Sequence, residues 1–67
     1  MTDEYRLFIR DNAITAEQAL FNLRNALYHS NIYELDLWWE RVERMRGSVS
    51  NLTRTLERMG RDNEEQE

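Results

Sequence analysis

Apolar residues recur with a strict rhythm along the second half of the chain. Leu35, Trp38, Val42, Met45, Val49, Leu52, Leu56 and Met59 are spaced 3, 4, 3, 4, 3, 4 and 3 apart. Eight consecutive hits on an a/d heptad predict a long helix that seeks a partner along one stripe. Asn31, with Glu34 three residues on, marks its start as a capping-box-like pair. Arg58 followed by Gly60 marks its end. The predicted helix covers residues 32–59, about 42 Å at 1.5 Å per residue.

A second apolar stripe precedes it. Ala16, Leu20, Leu23 and Leu27 share a helix face, widened by Phe21 and Tyr28. Thr15 with Gln18 resembles another capping box, with Ile14 at the preceding hydrophobic position. The predicted first helix therefore spans about 15–29, and Ser30-Asn31 forms a tight connection. Helices joined so closely lie antiparallel. The expected fold is all-α, an antiparallel helical hairpin in a single domain of residues 1–60.

The two predicted helices differ in length. A first helix of that span covers the second only to about Gly47, leaving Val49, Leu52, Leu56 and Met59 bare, and apolar rows of that length are seldom left in water. Two covers are available: residues 5–9, or a second copy of the chain. Tyr5, Leu7 and Ile9 alternate as in a strand, whereas Tyr5, Phe8 and Ile9 fit a helical turn after Thr2, so segment 3–11 stays open between the two. Dimerisation through the long heptad helix is expected, with Leu35, Val42, Met45, Val49, Leu52, Leu56 and Met59 as dimer core. Residues 61–67 (RDNEEQE) are expected to be a disordered acidic tail.

Composition supports an all-helical chain. The 67 residues include no proline, two glycines and no cysteine, too little turn punctuation for a sandwich or barrel. A domain this small is marginal as a lone monomer, and without cysteine neither disulfides nor thiolate metal sites can reinforce it. Oligomerisation remains. No signal peptide and no apolar run near 18 residues is evident, so a soluble, cytoplasmic protein with no membrane association is expected.

Charge is unevenly placed. Residues 1–40 carry three arginines against seven acids, residues 41–61 six arginines against two acids, and residues 62–67 four acids, for a net of −4. Acids interleaved among the arginines and a net negative chain weigh against nucleic acid as a partner.

Catalytic chemistry finds little footing. Asp36 and Glu40 share a helix face at i, i+4, but Arg44 follows one turn on, as expected of a solvated face. His29, the lone histidine, suits the end of a helix and cannot by itself build a metal site. Serines 30, 48 and 50 have no base in sequence reach. No catalytic residue, metal or cofactor is expected.

Residues 32–39 (IYELDLWW) are the most informative stretch. Tyr33 and Leu37 fall opposite the heptad stripe and Trp39 on its flank, while Trp38 lies on the stripe. One hairpin neighbour does not bury a helix apolar on nearly every side, and Trp and Tyr are enriched at binding hot spots. Tyr33, Leu37, Trp38 and Trp39 are therefore candidate partner-binding residues, with dimer core the alternative for the two tryptophans.

Taken with EQALFNLRNALYHSNIYELDLWW on the hairpin, a chain without lysine resembles the small quorum-sensing anti-activators of Pseudomonas phages. That resemblance implies a host-cytoplasmic inhibitor that binds the LuxR-type transcription activator LasR and the type IV pilus assembly ATPase PilB. The architecture also resembles the Rop-like RNA-binding hairpins, which read RNA with a basic face on the first helix. Arg24 alone supplies such a face here.

Overall fold

The computed structural model describes residues 1–66, and the side chains of residues 1–62. It consists of two helices, α1 (Asp3–Tyr28) and α2 (Leu35–Gln66), packed against each other as an antiparallel hairpin. The rod measures 53 × 15 × 14 Å. Among the described residues there is no strand.

Helix α1 is longer than the heptad reading of residues 15–29. Its true cap is Thr2, whose Oγ1 accepts the Tyr5 N–H at 3.1 Å, while the Arg6 N–H donates to the Thr2 carbonyl at 3.0 Å. Asp3 and Glu4 in the first turn suit the positive end of the helix dipole. Segment 3–11 is thus helix, not strand. Thr15 caps nothing: its hydroxyl donates back to the Asp11 carbonyl at 3.0 Å, in the middle of the helix. Asn12 Nδ2 does the same to Phe8 at 2.8 Å. Polar side chains that look like a helix start are here satisfied by the turn before them.

The connection occupies residues 29–34 rather than two residues. Ser30 organises it, its hydroxyl donating to the Leu27 carbonyl at 2.7 Å and its N–H to the same oxygen at 3.0 Å. Asn31 and Glu34 do not delimit a helix start at residue 32. Glu34 takes a left-handed backbone, φ 59°, and its carbonyl accepts the Trp38 N–H at 3.1 Å. Glu34 itself is therefore the residue from which α2 departs. Ile32 and Tyr33 lie outside the helix.

At the far end, Gly60 does not stop α2. A Cβ there would sit 2.6 Å from the Arg6 guanidinium carbon, and Arg6 Nη1 donates to the Leu56 carbonyl at 2.9 Å. Glycine here leaves room for the Arg6 guanidinium, which a Cβ would push aside, and is not a left-handed cap. Once nucleated, the helix continues at little cost per residue, so residues 61–66 extend it where a disordered tail was expected. Glu67 lies outside the described residues.

Because α1 starts at Asp3, it covers α2 well past Gly47. Ala13, Val42 and Leu56 form the buried core, the last two at 4% exposure. Leu20, Leu27, Leu35 and Val49 are half-buried beside them. Residues 49 and 56 are thus packed by the chain's own first helix, which removes length mismatch as a reason for a second copy. No helix is long and apolar enough to cross a membrane among the described residues.

Candidate functional site

Aromatic and aliphatic side chains collect around the closed end of the hairpin. The six-residue connection places Ile32 and Tyr33 on non-helical backbone, where no neighbouring turn covers them. Tyr33 is 84% exposed, and Tyr28 and Ile32 are also open to water. Tyr28 packs edge-on against His29, ring centroids 5.3 Å apart.

The four residues singled out from the sequence do not form one patch. Tyr33 lies in the connection, and Leu37 points outward from the first turn of α2. Trp38 and Trp39, adjacent in sequence, are turned about 100° apart by the helix. Trp39 faces Tyr28 and lines two shallow hollows with it, one completed by Leu35, Asp36 and Glu40, the other by Arg24 and Asn25. The larger of the two is about 420 Å³. Trp38 lies on the opposite flank of the hairpin, its ring under the Arg41 guanidinium at 5.2 Å. All four are exposed. Tyr28 joins Trp39 although the sequence placed it only at the margin of the first stripe.

The set expected to form dimer core separates into two rows. Leu35, Val42, Val49 and Leu56 lie in the seam between α1 and α2. Met45, Leu52 and Met59 lie beside the seam and remain exposed.

A charged cluster borders the Trp39 side. Glu43 accepts Arg46 Nε at 3.2 Å and Nη2 at 3.1 Å, and Arg24 Nη1 at 3.2 Å from the other helix. The Arg46 hydrogen bond, reinforced by the charges of Arg46 and Arg24, holds the Glu43 carboxyl below its ordinary value and Arg46 above its own. Both guanidinium groups also lie over the Phe21 ring, at 4.8 and 5.7 Å. The i, i+3 pair Glu43/Arg46 is visible in the sequence; the Arg24 contact, 19 residues away, depends on the pairing of the helices and has no local signal. Among the described residues, no group of three or more histidine or acidic side chains could hold a metal ion.

The fold defines a two-helix hairpin with exposed aromatic side chains. No family model, curated protein or solved structure matches the chain.

Proposed function

We propose that the protein works by stoichiometric binding of another protein, not by turnover, and that the closed end of the hairpin is its contact surface. The exposure of Tyr33 carries this reading: a tyrosine 84% exposed in the connection, at the same end of the hairpin as the exposed Tyr28, Ile32 and Trp39. Tyrosine and tryptophan offer large rigid contact areas at low entropic cost, and such side chains dominate binding hot spots. The resemblance to phage anti-activators makes a LuxR-type activator the first partner to test, and the type IV pilus assembly ATPase the second, both in the host cytoplasm. A Rop-like RNA-binding role finds less support, since Arg24, the candidate basic residue, is held by Glu43.

The test uses purified Tyr33→Ala and Trp39→Ala. Both should fold by far-UV circular dichroism; Tyr33→Ala should melt close to wild type, because the side chain is 84% exposed, and Trp39→Ala somewhat lower, because the ring is only 37% exposed. Binding to the activator by calorimetry should weaken by about 30-fold, the equivalent of about 2 kcal/mol for an aromatic anchor. Wild-type affinity in both variants would overturn the assignment of the closed end.

A further inference from the structure

Aromatic rings and arginines meet repeatedly in this chain. Arg24 and Arg46 lie over Phe21, and Arg41 lies over Trp38. A guanidinium group suits such a face because the ring attracts the cation while the flat group stacks on it. Among the described residues, no cation stands over Trp39 or Tyr28.

The two hollows that Tyr28 and Trp39 share at the closed end differ in charge. One already contains an arginine: Arg24, tied to Glu43 at 3.2 Å and to Asn25 Oδ1 at 3.1 Å. The other, about 420 Å³, is bordered by Asp36 and Glu40, with Leu35 as its remaining wall. Spaced i, i+4, the two carboxylates share one face of α2 with Trp39. Asp36 is exposed and has no hydrogen bond or ion pair among the described residues. Glu40 accepts Arg44 Nη2 at 2.6 Å, but Arg44 is 77% exposed, and an i, i+4 surface pair of this kind yields readily to a competitor.

The surroundings carry the same sign. From Tyr28 to Glu40 the chain has three acids, Glu34, Asp36 and Glu40, and no arginine or lysine. Phosphate groups, whether of a nucleic acid or of a lipid surface, are repelled by such a surface. A cationic side chain gains from the rings and from the carboxylates together.

We propose that this hollow accepts an arginine side chain of the partner protein, its guanidinium against Tyr28 and Trp39 and its N–H groups donating to Asp36 and Glu40. The proposal rests on the reading of the closed end as a protein contact surface and names the chemistry that this surface recognises. The hollow's volume falls at the small end of the range of about 300–1,000 Å³ for ligand pockets, which suits one long side chain. Arginine fits better than lysine, because its planar fork stacks and donates to two acceptors at once and is less strongly hydrated.

The experiment titrates the full, isotope-labelled chain with three capped tripeptides in which glycines flank arginine, lysine or citrulline, the last an uncharged isostere of arginine. Nuclear magnetic resonance shifts of the Trp39 indole N–H, assigned with Trp38→Phe, and of the Asp36 amide report the site. The arginine peptide should move both signals and bind about tenfold more tightly than the citrulline peptide, as a cation–π contact and an exposed ion pair together provide, with lysine between. Added salt should weaken the arginine peptide and leave the citrulline peptide unchanged. Asp36→Asn combined with Glu40→Gln, two exposed and nearly isosteric changes, should lower the arginine affinity about fivefold, and Arg44→Ala should raise it by removing the internal competitor. An arginine peptide no tighter than the other two, shifts absent or confined to other residues, or wild-type affinity in the double variant would each overturn the proposal. Should the double variant unfold, the three peptides on wild type still decide it. Failure here is distinct from failure of the closed end as a contact surface: partner binding lost in Trp39→Ala but intact in the double variant would keep the surface and remove the arginine.

Discussion

The two ends of the rod hold together by different means. At the open end, Arg6 in the second turn of α1 reaches the Leu56 carbonyl and lies over Gly60, and Leu56 is buried beneath it. At the closed end, Tyr28, Ile32 and Tyr33 stand in water, and the order comes from Ser30 and the backbone of Glu34. The difference follows from connectivity. The connection keeps the helices together at the closed end at small loop-closure cost, so apolar area there is free for other uses. At the open end nothing but side-chain packing prevents fraying. Packing under Arg6 secures one end, although Tyr5 and Phe8 stay exposed there, and the connection secures the other.

Substitutions at the two ends test this division. Leu56→Ala should cost about 2–5 kcal/mol, as for a buried leucine that leaves a cavity. Tyr33→Ala should stay within about 0.5 kcal/mol, as for an exposed side chain with no packing role. Chemical denaturation followed at 222 nm measures both, and equal losses would erase the distinction.

The glycines offer a smaller contrast. Gly47 has open space where a Cβ would stand, so Gly47→Ala should stabilise by about 1 kcal/mol through helix propensity alone. Gly60→Ala should gain less or lose, because the new methyl displaces the Arg6 guanidinium from the Leu56 carbonyl. In an Arg6→Ala background the Gly60→Ala gain should return, and a double-mutant cycle measures that coupling. An unchanged Gly60→Ala effect in the two backgrounds would mean that the clasp contributes nothing.

A further small effect is expected at Glu34. Its left-handed backbone costs a non-glycine residue about 1–2 kcal/mol, and glycine returns about 0.5–1 kcal/mol of that as lost chain entropy. Glu34→Gly should therefore gain at most about 1.5 kcal/mol, and Glu34→Val should lose stability, both read from the melting temperature. A loss in Glu34→Gly would point to a role for the carboxylate that its backbone does not explain.

Periodicity carried the helical hairpin and both apolar stripes, because burial against a neighbouring helix repeats along the chain. Its failures were all at helix ends. Thr15 and Gln18 have the chemistry of a start, but Thr15 bonds back into a helix that began at Asp3. Gly60 has the chemistry of a stop, yet its role is set by Arg6, a contact spanning 50 residues. No local pattern encodes such a pairing. The candidate site was partly legible: Leu37 lies off the heptad and is exposed as that place predicts, whereas Tyr33 owes its exposure to the connection, outside the helix that the sequence assigned it to. The separation of Trp38 and Trp39 onto opposite flanks depended on which side of α2 meets α1, and a heptad with both a and d apolar does not specify that for one neighbour alone.

A rod only 15 Å across keeps its side chains near the surface, and among the described residues none of the large ones is fully enclosed. Backbone amides should accordingly exchange their hydrogens through shallow, frequent openings rather than through rare global ones. Inside a cell the opened fraction is what proteases sample. Each binding event lowers that fraction by mass action. Copies that have found a companion or a target would then outlive solitary ones, which ties the abundance of such a protein to its occupancy.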